Sequence, residues 1–316
     1  MLAILGITTP IFLLISLGYI ARWSGIIQRE QMQGMGVFVL YCALPALVIR
    51  ALTQQPLEEV FKLNYLVAYA LGSIAVFGAG LLLCLKLQRQ PLNASAMQAL
   101  GMAAANSGFV GYPVAAMVIG SPAAVLLALN MLIENLLVIP AALILAEMGN
   151  HQGSSVWKTV KQTALSLIKN PVLVGLLTGI FLAVSGVKIP APLFKAIDML
   201  AEAAGPAALF VIGGALFGLQ VKGMASDVGQ IVVGKLLIHP LVIFIAFYFV
   251  PDIDPLYMAG ALLFAASPMI SIYPLFGQRY GVGGMSAAAM LVATISSFFT
   301  LSLIIWLMTL SGLLSF

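Results

Sequence analysis

The sequence predicts an all-α membrane protein of ten transmembrane helices, arranged as two inverted repeats of five helices each. The 316 residues are 62% hydrophobic and 8% charged, with a mean hydropathy of +1.12. A soluble domain carries about 25% charged residues. The apolar residues form ten runs, and a span of a bilayer needs about 20 such residues. The two halves of the chain also match at a constant offset of 161 residues.

The offset aligns landmarks along the whole chain without a gap. The aligned pairs are Pro10 with Pro171, Gly18 with Gly179, Ser24-Gly25 with Ser185-Gly186, Pro45 with Pro206, Tyr112-Pro113 with Tyr273-Pro274, and Gly120 with Gly281. Because each half holds an odd number of spans, the second half begins on the opposite side of the membrane. Inverted repeats are typical of transporters whose site lies near the membrane midplane and opens to each side in turn.

The predicted spans follow one another with short connections. They cover residues 3–21, 33–50, 64–85, 96–119 and 122–147 in the first half, and residues 171–187, 194–219, 228–250, 255–276 and 285–312 in the second. The first span lacks a preceding Lys or Arg and a small-residue cleavage pattern, which predicts a retained span rather than a signal peptide. The predicted repeats are therefore residues 1–147 and 171–316.

The longest predicted connection, residues 148–170, is a linker between the repeats. Apolar residues recur in it at helical spacing beside Trp157 and basic residues, which predicts an amphipathic helix on the membrane surface; they are Val156, Val160, Ala164 and Leu167, with Lys158, Lys161 and Lys169. Loops on the linker's side of the membrane carry nine Lys and Arg, against four on the other side. Since cytoplasmic loops are rich in these residues, the linker is expected in the cytoplasm and both termini outside.

The fourth and ninth spans hold the strongest functional signal. Residues 104–113 read AANSGFVGYP and residues 265–274 read AASPMISIYP, so both place Gly or Pro and small polar residues inside an apolar run. Proline lacks an amide donor and clashes with the preceding turn, so both helices are predicted to break. Broken backbone in a bilayer is tolerated only where it is buried or lines a cavity. The alternative is an ordinary proline kink with buried serines.

The two predicted breaks define a candidate substrate site. Half-helix N-termini at the midplane place partial positive charge there, which favours an anionic ligand. The candidate substrate-binding residues are Asn106, Ser107, Gly108, Tyr112, Pro113, Ser267, Pro268, Ser271, Tyr273 and Pro274.

Acidic residues inside spans are candidates for binding a coupling ion. Glu134 lies in the middle of the fifth span, with Asn130 one turn earlier and Asn135 beside it. An ionisable group there is costly and usually faces a cavity or a partner. It would carry a proton or bind Na⁺, or else be a protonated structural residue. Asp198 and Glu202 lie early in the seventh span, or at its outer boundary beside Lys195.

Basic and hydroxyl residues complete the candidates. Lys235 and His239 share one face of the eighth span. Lys235 would either extend its ammonium to the cytoplasmic surface or neutralise a substrate carboxylate or Glu134. Arg50 is most simply an interfacial anchor. Hydroxyls in the tenth span would line a cavity or join helices; the cavity-lining candidates are Pro45, Thr294 and Ser297, with Ser296 and Thr300 nearby.

An ordered set of motifs resembles the auxin efflux carrier family over essentially the whole chain. The motifs are Asn106-Ser107-Gly108 to Gly111-Tyr112-Pro113 followed by Gly120, Leu44-Pro45-Ala46-Leu47, Gly205-Pro206 to Gly213, His239-Pro240, and Pro268 to Tyr280-Gly281. The length is similar to that of the bacterial members, which include proteins assigned as malonate and malate carriers.

The resemblance implies a fold of the sodium/proton-antiporter type and a carboxylate substrate. Spans 1, 2, 6 and 7 would form a scaffold, and spans 3–5 and 8–10 a transport domain. The fourth and ninth helices would cross at prolines, near Pro113 and either Pro268 or Pro274. Plant members space the two prolines of the ninth span by five residues, whereas here the spacing is six, which leaves open which proline lies at the crossing.

The expected function is secondary transport of a small organic anion by an elevator-type alternating-access mechanism. The anion would be a mono- or dicarboxylate such as malonate or malate, or an auxin-like acid. No catalytic or nucleotide-binding motif occurs in the sequence, so neither an enzyme nor a cofactor is expected, apart from a coupling H⁺ or Na⁺, and no metal site is expected. The expected surroundings are the bacterial inner membrane and a second copy in a homodimer, without nucleic acid.

Two other functions remain open from the sequence. A cation/proton exchanger on a similar scaffold needs an acidic residue at the crossing, and residues 104–113 and 265–274 contain none. A membrane sensor or channel would carry a soluble signalling domain or a selectivity ring, and neither is visible in the sequence.

Overall fold

The computed structural model describes residues 2–54, 62–149, 157, 161–162, 165, 169–187, 189–218, 225–251 and 253–314. The all-α prediction is confirmed for these residues, in which the isolated bridge between Ala105 and Met269 is the one β-type pairing. The helices are α1 (Leu2–Trp23), α2 (Arg29–Gln54), α3 (Leu63–Leu87), α4 (Leu92–Ala103), α5 (Ser107–Ile119), α6 (Pro122–Gly149), α7 (Pro171–Ser185), α8 (Ala191–Leu216), α9 (Ala225–Tyr248), α10 (Pro255–Ala265), α11 (Tyr273–Arg279) and α12 (Gly283–Leu310).

Six of these helices are long and apolar enough to cross a bilayer, judged by length and composition; they are α2, α3, α6, α8, α9 and α12. Shorter apolar helices are Thr9–Trp23 within α1, and α5, α7 and α10. Each of the ten predicted spans overlaps at least one helix of the described residues. The fourth span is divided between α4 and α5, and the ninth between α10 and α11. Ten crossings and an inverted arrangement of the repeats stay predictions.

Glycines at aligned repeat positions adopt the same unusual backbone conformation. Gly25 and Gly186 have φ of 75° and 66°, and Gly120 and Gly281 have φ of 70° and 81°. Side chains other than glycine rarely tolerate this region, which explains why the sequence match between the halves includes these four residues. All four follow a helix end, where a glycine of this conformation terminates the helix.

The chain divides into two compact units. Unit 1 comprises Met1–Leu63, Ser107–Met131 and Ile168–Gly218. In it α1 packs on α8 so closely that a side-chain carbon at Gly18 would clash with the backbone of Phe210, and one at Gly213 with the backbone of Ile15. Small residues allow such approach between membrane helices, so these glycines hold the two helices together.

Unit 2 comprises Asn64–Asn106, Leu132–Leu167 and Leu219–Phe316. It contains α3, α4, α9, α10, α11, α12 and the second part of α6. Glycines again permit close packing, because Gly72 of α3 lies against Ile243 of α9, and Gly234 of α9 lies against Met102 of α4. Both helix breaks begin in this unit.

Much of the predicted linker lies outside the described residues, and so do Val156, Lys158, Val160, Ala164 and Leu167. Trp157 and Lys161 are described, and both are helical and exposed. The amphipathic helix over residues 148–170 therefore stays a prediction.

Candidate functional site

The first helix break is short, and hydrogen bonds satisfy each of its backbone N–H groups. α4 ends at Ala103, Ala104 is extended, and α5 begins at Ser107. The Ala104 N–H still donates to the Leu100 carbonyl (2.9 Å). The Ala105 N–H donates to Oε1 of Glu134 (3.1 Å). A buried backbone donor without a partner would be costly, so the Glu134 carboxylate stabilises the broken conformation.

The second break, Ala266–Ile272, contacts the first through the backbone. The Pro268 carbonyl accepts a hydrogen bond from the Asn106 N–H (2.7 Å), and Ala105 and Met269 form an antiparallel bridge. Pro268 is therefore the proline at this contact. Pro274 lies in the first turn of α11, where a missing N–H costs little because that group has no helical partner.

Glu134 reaches the first break from the middle of α6. Its side chain is 2% exposed, and it opens the π-helical turn Glu134–Val138. Single π turns inside α-helices are frequent at functional sites. Asn130, one turn earlier, is also buried and belongs to unit 1, whereas Asn135 is half-buried and belongs to unit 2.

Lys235 reaches the second break from α9 and is fully buried. Its Nζ donates to the carbonyl oxygen of Ala265 (2.6 Å), the last residue of α10. The interpretation that Lys235 extends to the cytoplasmic surface is therefore wrong. Lys235 lies in the π-helical turn Gly234–Ile238, and its ammonium binds a backbone carbonyl of α10.

His239 supports Lys235 from the next turn of α9. Nδ1 of His239 lies 2.8 Å from Nζ of Lys235, and Nε2 lies 3.2 Å from Oγ of Ser73. Because Nζ is the donor, Nδ1 accepts and Nε2 carries the ring proton, which it donates to Ser73. The edge of the Tyr69 ring packs on the imidazole, with ring centroids 6.0 Å apart. Ser73 and Tyr69 are absent from the sequence-based predictions, although their spacing of four residues places both on one face of α3.

The site thus joins two buried charges of opposite sign to two backbone ends of opposite polarity. The carboxylate of Glu134 meets an N–H group at the first break, and the ammonium of Lys235 meets the carbonyl that ends α10. Glu134 and Lys235 also attract each other electrostatically. A buried charge is tolerated only when it is paired and hydrogen-bonded, and both conditions hold here.

Other predicted residues of unit 2 have varied surroundings. Ser271 Oγ is buried and has no hydrogen-bond partner among the described residues. Ser267 Oγ donates to the Leu263 carbonyl (2.9 Å), and the Tyr273 hydroxyl lies against Gly101. The hydroxyls of Thr294 and Ser297 donate to carbonyls of their own helix, those of Met290 and Thr294 (2.7 Å each).

The remaining predicted residues belong to unit 1 and are packed there. Ser107 is buried, and Gly108 lies against Leu44. Pro45 lies against Gly175. A side-chain carbon built at Gly205 would lie 3.9 Å from the nearest atoms of Tyr112 and Pro113. Arg50 is bound to Asp198 (2.8 Å), which also accepts from Lys195 (3.0 Å). Arg50 therefore joins α2 to α8 rather than acting only as an interfacial anchor. Glu202 is exposed.

A second buried carboxylate in unit 2 is also absent from the sequence-based predictions. Glu147, near the end of α6, accepts from the Tyr280 hydroxyl (3.1 Å) and from Nη2 of Arg279 (3.3 Å). Burial raises the pKa of Tyr280 to about 12, so its hydroxyl stays protonated and donates to Glu147 at neutral pH. An acid at the end of an apolar run is the signal that would have identified Glu147.

Comparison with known proteins gives one family and several relatives. The family model described as "Membrane transport protein" matches residues 4–307. A protein of Rhizobium meliloti (strain 1021) named "Putative malonate transporter" is 30% identical over 310 residues, which cover 97% of this chain and 96% of that protein. Proteins named "Uncharacterized transporter YfdV" from Escherichia coli (strain K12) and Shigella flexneri are each 26% identical over 241 residues, covering 75% of this chain and 76% of theirs.

Proposed function

The chain belongs to the membrane transport protein family of auxin efflux carriers, and from that premise we propose that it is a secondary transporter of a small organic anion. It is a multi-pass membrane protein and a transporter rather than an enzyme. The proposed substrate is a mono- or dicarboxylate, with malonate or malate first among the candidates and an auxin-like acid next. The name of the Rhizobium meliloti relative supports a dicarboxylate.

The observation that carries the proposal is the contact between two helix breaks beside two buried charges. The Asn106 N–H bonds to the Pro268 carbonyl (2.7 Å), and Glu134 and Lys235 each bind one side of the pair of breaks. Irregular backbone at membrane depth occurs where it is buried or lines a cavity. Ionisable residues inside membrane helices mark substrate or ion pathways. Both arguments favour a binding site in the same part of unit 2.

Polar side chains at the breaks supply donors for a carboxylate. The Asn106 amide lies at the end of the first break, and the buried Ser271 hydroxyl of the second has no hydrogen-bond partner among the described residues. A hydroxyl in that state gains a bond when a ligand oxygen arrives. Ser107, Gly108, Tyr112, Pro113, Ser267, Tyr273 and Pro274 stay candidates on the sequence argument.

The proposed mechanism is an elevator-type alternation of access. Spans 3–5 and 8–10 would carry the substrate relative to a scaffold of spans 1, 2, 6 and 7, as in transporters built from inverted repeats. A coupling H⁺ or Na⁺ would bind near the breaks. We further propose a homodimer in the bacterial inner membrane, with both termini outside.

A thermal-unfolding screen of the purified protein in detergent tests the proposal. The ligands are malonate, malate, oxalate, succinate, citrate and indole-3-acetate. A ligand that binds only the folded protein stabilises it by about 2.7 kcal/mol at 100 times its Kd, so the substrate is expected to raise Tm. The Asn106→Ala variant is expected to lose that response. The control is Asn64→Ala, which alters an exposed amide bound to the Pro251 carbonyl (3.1 Å). If Asn106→Ala responded as the wild type does, the proposed site would be wrong.

One observation also favours the cation/proton exchanger. The break segments contain no acidic residue, but Glu134 brings a carboxylate to the first break from α6. The exchanger would show Na⁺-dependent proton flux in vesicles without any organic acid. Flux that requires a carboxylate would exclude it.

A further inference from the structure

We infer that Glu134 is the proton-binding group of this transporter, and that it takes up one proton when a substrate carboxylate binds beside the helix breaks. The inference rests on the proposed function, because it assigns the ion that accompanies the proposed anion. It selects H⁺ instead of Na⁺ and gives Lys235 the role of a fixed positive charge. The argument starts from the bonds that hold Lys235.

Lys235 is held by two hydrogen-bond acceptors. Its Nζ lies 2.6 Å from the Ala265 carbonyl oxygen and 2.8 Å from Nδ1 of His239, and neither side chain is exposed. Both partners accept hydrogen bonds, so both stabilise the ammonium form. Ser73 Oγ, 3.2 Å from Nε2, fixes the imidazole in the orientation that presents Nδ1 to the lysine. Two of the three N–H groups of the ammonium therefore have acceptors among the described residues.

The hydrogen bond of Glu134 is compatible with both the charged and the protonated form of its carboxyl group. Its Oε1 accepts from the Ala105 N–H (3.1 Å), a bond that either form of the carboxyl group can keep. Tyr69 of α3 interacts electrostatically with Glu134, and its buried hydroxyl has no hydrogen-bond partner among the described residues.

The groups that face Glu134 decide when it is charged. They are Lys235 with its partner His239 from α9, and Tyr69 from α3, while α4 and α10 present the Ala105 N–H and the Ala265 carbonyl. Before substrate binds, one cation and one carboxylate balance. A substrate carboxylate adds a second negative charge to a buried site, which is costly. One proton, taken by Glu134 from water, offsets one carboxylate group of the substrate, which then replaces Glu134 as the counter-ion of Lys235.

The same contacts disfavour Na⁺. A sodium ion would need the Glu134 carboxylate as a ligand, and the ammonium of Lys235 already neutralises that charge. A second cation beside Lys235 would be repelled. A proton avoids this cost, because it converts Glu134 into a neutral group without occupying space.

Isothermal titration calorimetry of malonate binding to the full-length wild-type protein tests the inference. Titrations in buffers of different ionisation enthalpy give the number of protons taken up with each malonate. We expect uptake of about one proton, and an affinity that falls roughly tenfold per pH unit above the pKa of the group concerned. Replacing Na⁺ by choline is expected to leave affinity and proton number unchanged.

Two matched variants identify the group. Glu134→Gln keeps an oxygen for the Ala105 N–H but cannot take up a proton, so it is expected to bind malonate without proton uptake and without the pH dependence. Glu147→Gln alters the other buried glutamate of unit 2, which binds Tyr280 and Arg279, and is expected to retain the uptake. Thermal unfolding of each variant verifies that it is folded.

Distinct results would overturn the inference and the proposed function. Malonate binding to the wild type without proton uptake, or with a requirement for Na⁺, would overturn the inference and leave the proposed function standing. Uptake that persists in Glu134→Gln would show that another group binds the proton. If none of the tested acids bound to the wild type, both would be overturned. The wild-type measurement decides the ion even if Glu134→Gln does not fold.

Discussion

Each helix break of unit 2 leaves a backbone group without a helical partner, and side chains of opposite charge bind these groups at the two breaks. The first, Ala104–Asn106, is short, and a carboxylate binds its Ala105 N–H. The second, Ala266–Ile272, is longer, and an ammonium binds the Ala265 carbonyl where it begins. A helix end that presents N–H groups favours an anion and one that presents carbonyls favours a cation. The polarity of the exposed backbone therefore explains the sign of the charge at each break.

The difference also shows that the charges do not belong to the repeat. Glu134 aligns with Ile295 at the offset of 161 residues, and Lys235 aligns with Ile74. The apolar partners are what packing in a membrane would favour. Each half therefore carries one charge that the other half lacks, at the point where the two breaks meet.

The largest loss of stability is expected from Lys235→Met, which removes the basic side chain from the second break. The change leaves the buried Glu134 without the positive charge that attracts it, and an uncompensated buried charge costs roughly 3–5 kcal/mol. The Ala265 carbonyl also loses its donor. The measurement is the shift in Tm of the purified protein.

Lys195→Met is the matched control for that prediction, since Lys195 is an exposed lysine bound to Asp198 (3.0 Å). Exposed ion pairs contribute little, so its Tm is expected to change far less. An equal decrease of Tm in the two variants would mean that Lys235 does not stabilise the second break more than an exposed lysine stabilises its surroundings.

The second prediction concerns the coupling between the two charges. Combining Lys235→Met with Glu134→Gln removes both members of the pair, so no charge is left without a partner. The double variant is expected to be more stable than the sum of the single losses predicts, by about 0.5–3 kcal/mol. Additive losses, measured by thermal unfolding of all four proteins, would show that the two breaks are held independently.

The sequence predicted the breaks themselves because their cause is local. Proline and small polar residues interrupt both apolar runs, and a residue without an amide donor ends a helix whatever surrounds it. The repeat offset aligned Gly120 with Gly281, and the structure gives both a backbone conformation that excludes most other residues. Local chemistry of this kind can be read from single residues.

The environment of Lys235 could not be predicted in the same way. A lysine in an apolar helix either extends to the surface or is buried with partners. Here the partners are the Ala265 carbonyl of α10 and His239 on the next turn of α9, and Ser73 of α3 binds His239 in turn. Ser73 is distant in sequence, and the Ala265 carbonyl is a backbone group, whose role as a partner cannot be predicted from the residue type. The π-helical turns at Glu134 and Gly234 also depend on packing. These features arise only when the helices come together.

A third, smaller loss of stability is expected from Ser73→Ala, which tests whether Ser73 supports Lys235 through His239 at the second break. The change leaves the His239 Nε2–H buried without its partner, and such a group costs about 1–3 kcal/mol. Imidazole orientation would then be less fixed, and Lys235 would be held less firmly. Thermal unfolding measures the loss. Ser286→Ala, which removes a hydroxyl that donates to the Val282 carbonyl of its own helix end (3.0 Å), serves as the comparison and is expected to lose less stability.

The smallest effect on stability is expected at Ser271, where the effect on binding should be clear. Its buried hydroxyl makes no hydrogen bond to the described residues, so Ser271→Ala removes no hydrogen bond from the folded protein. Without ligand, the free energy of unfolding should therefore change by less than about 0.5 kcal/mol. If the hydroxyl instead binds the substrate carboxylate, the variant loses a hydrogen bond to a charged group, which contributes about 1.5–3 kcal/mol. Malonate affinity measured by calorimetry should then fall by roughly tenfold or more. An unchanged affinity would remove the second break from the substrate site and leave the first break, with Asn106, to bind the anion.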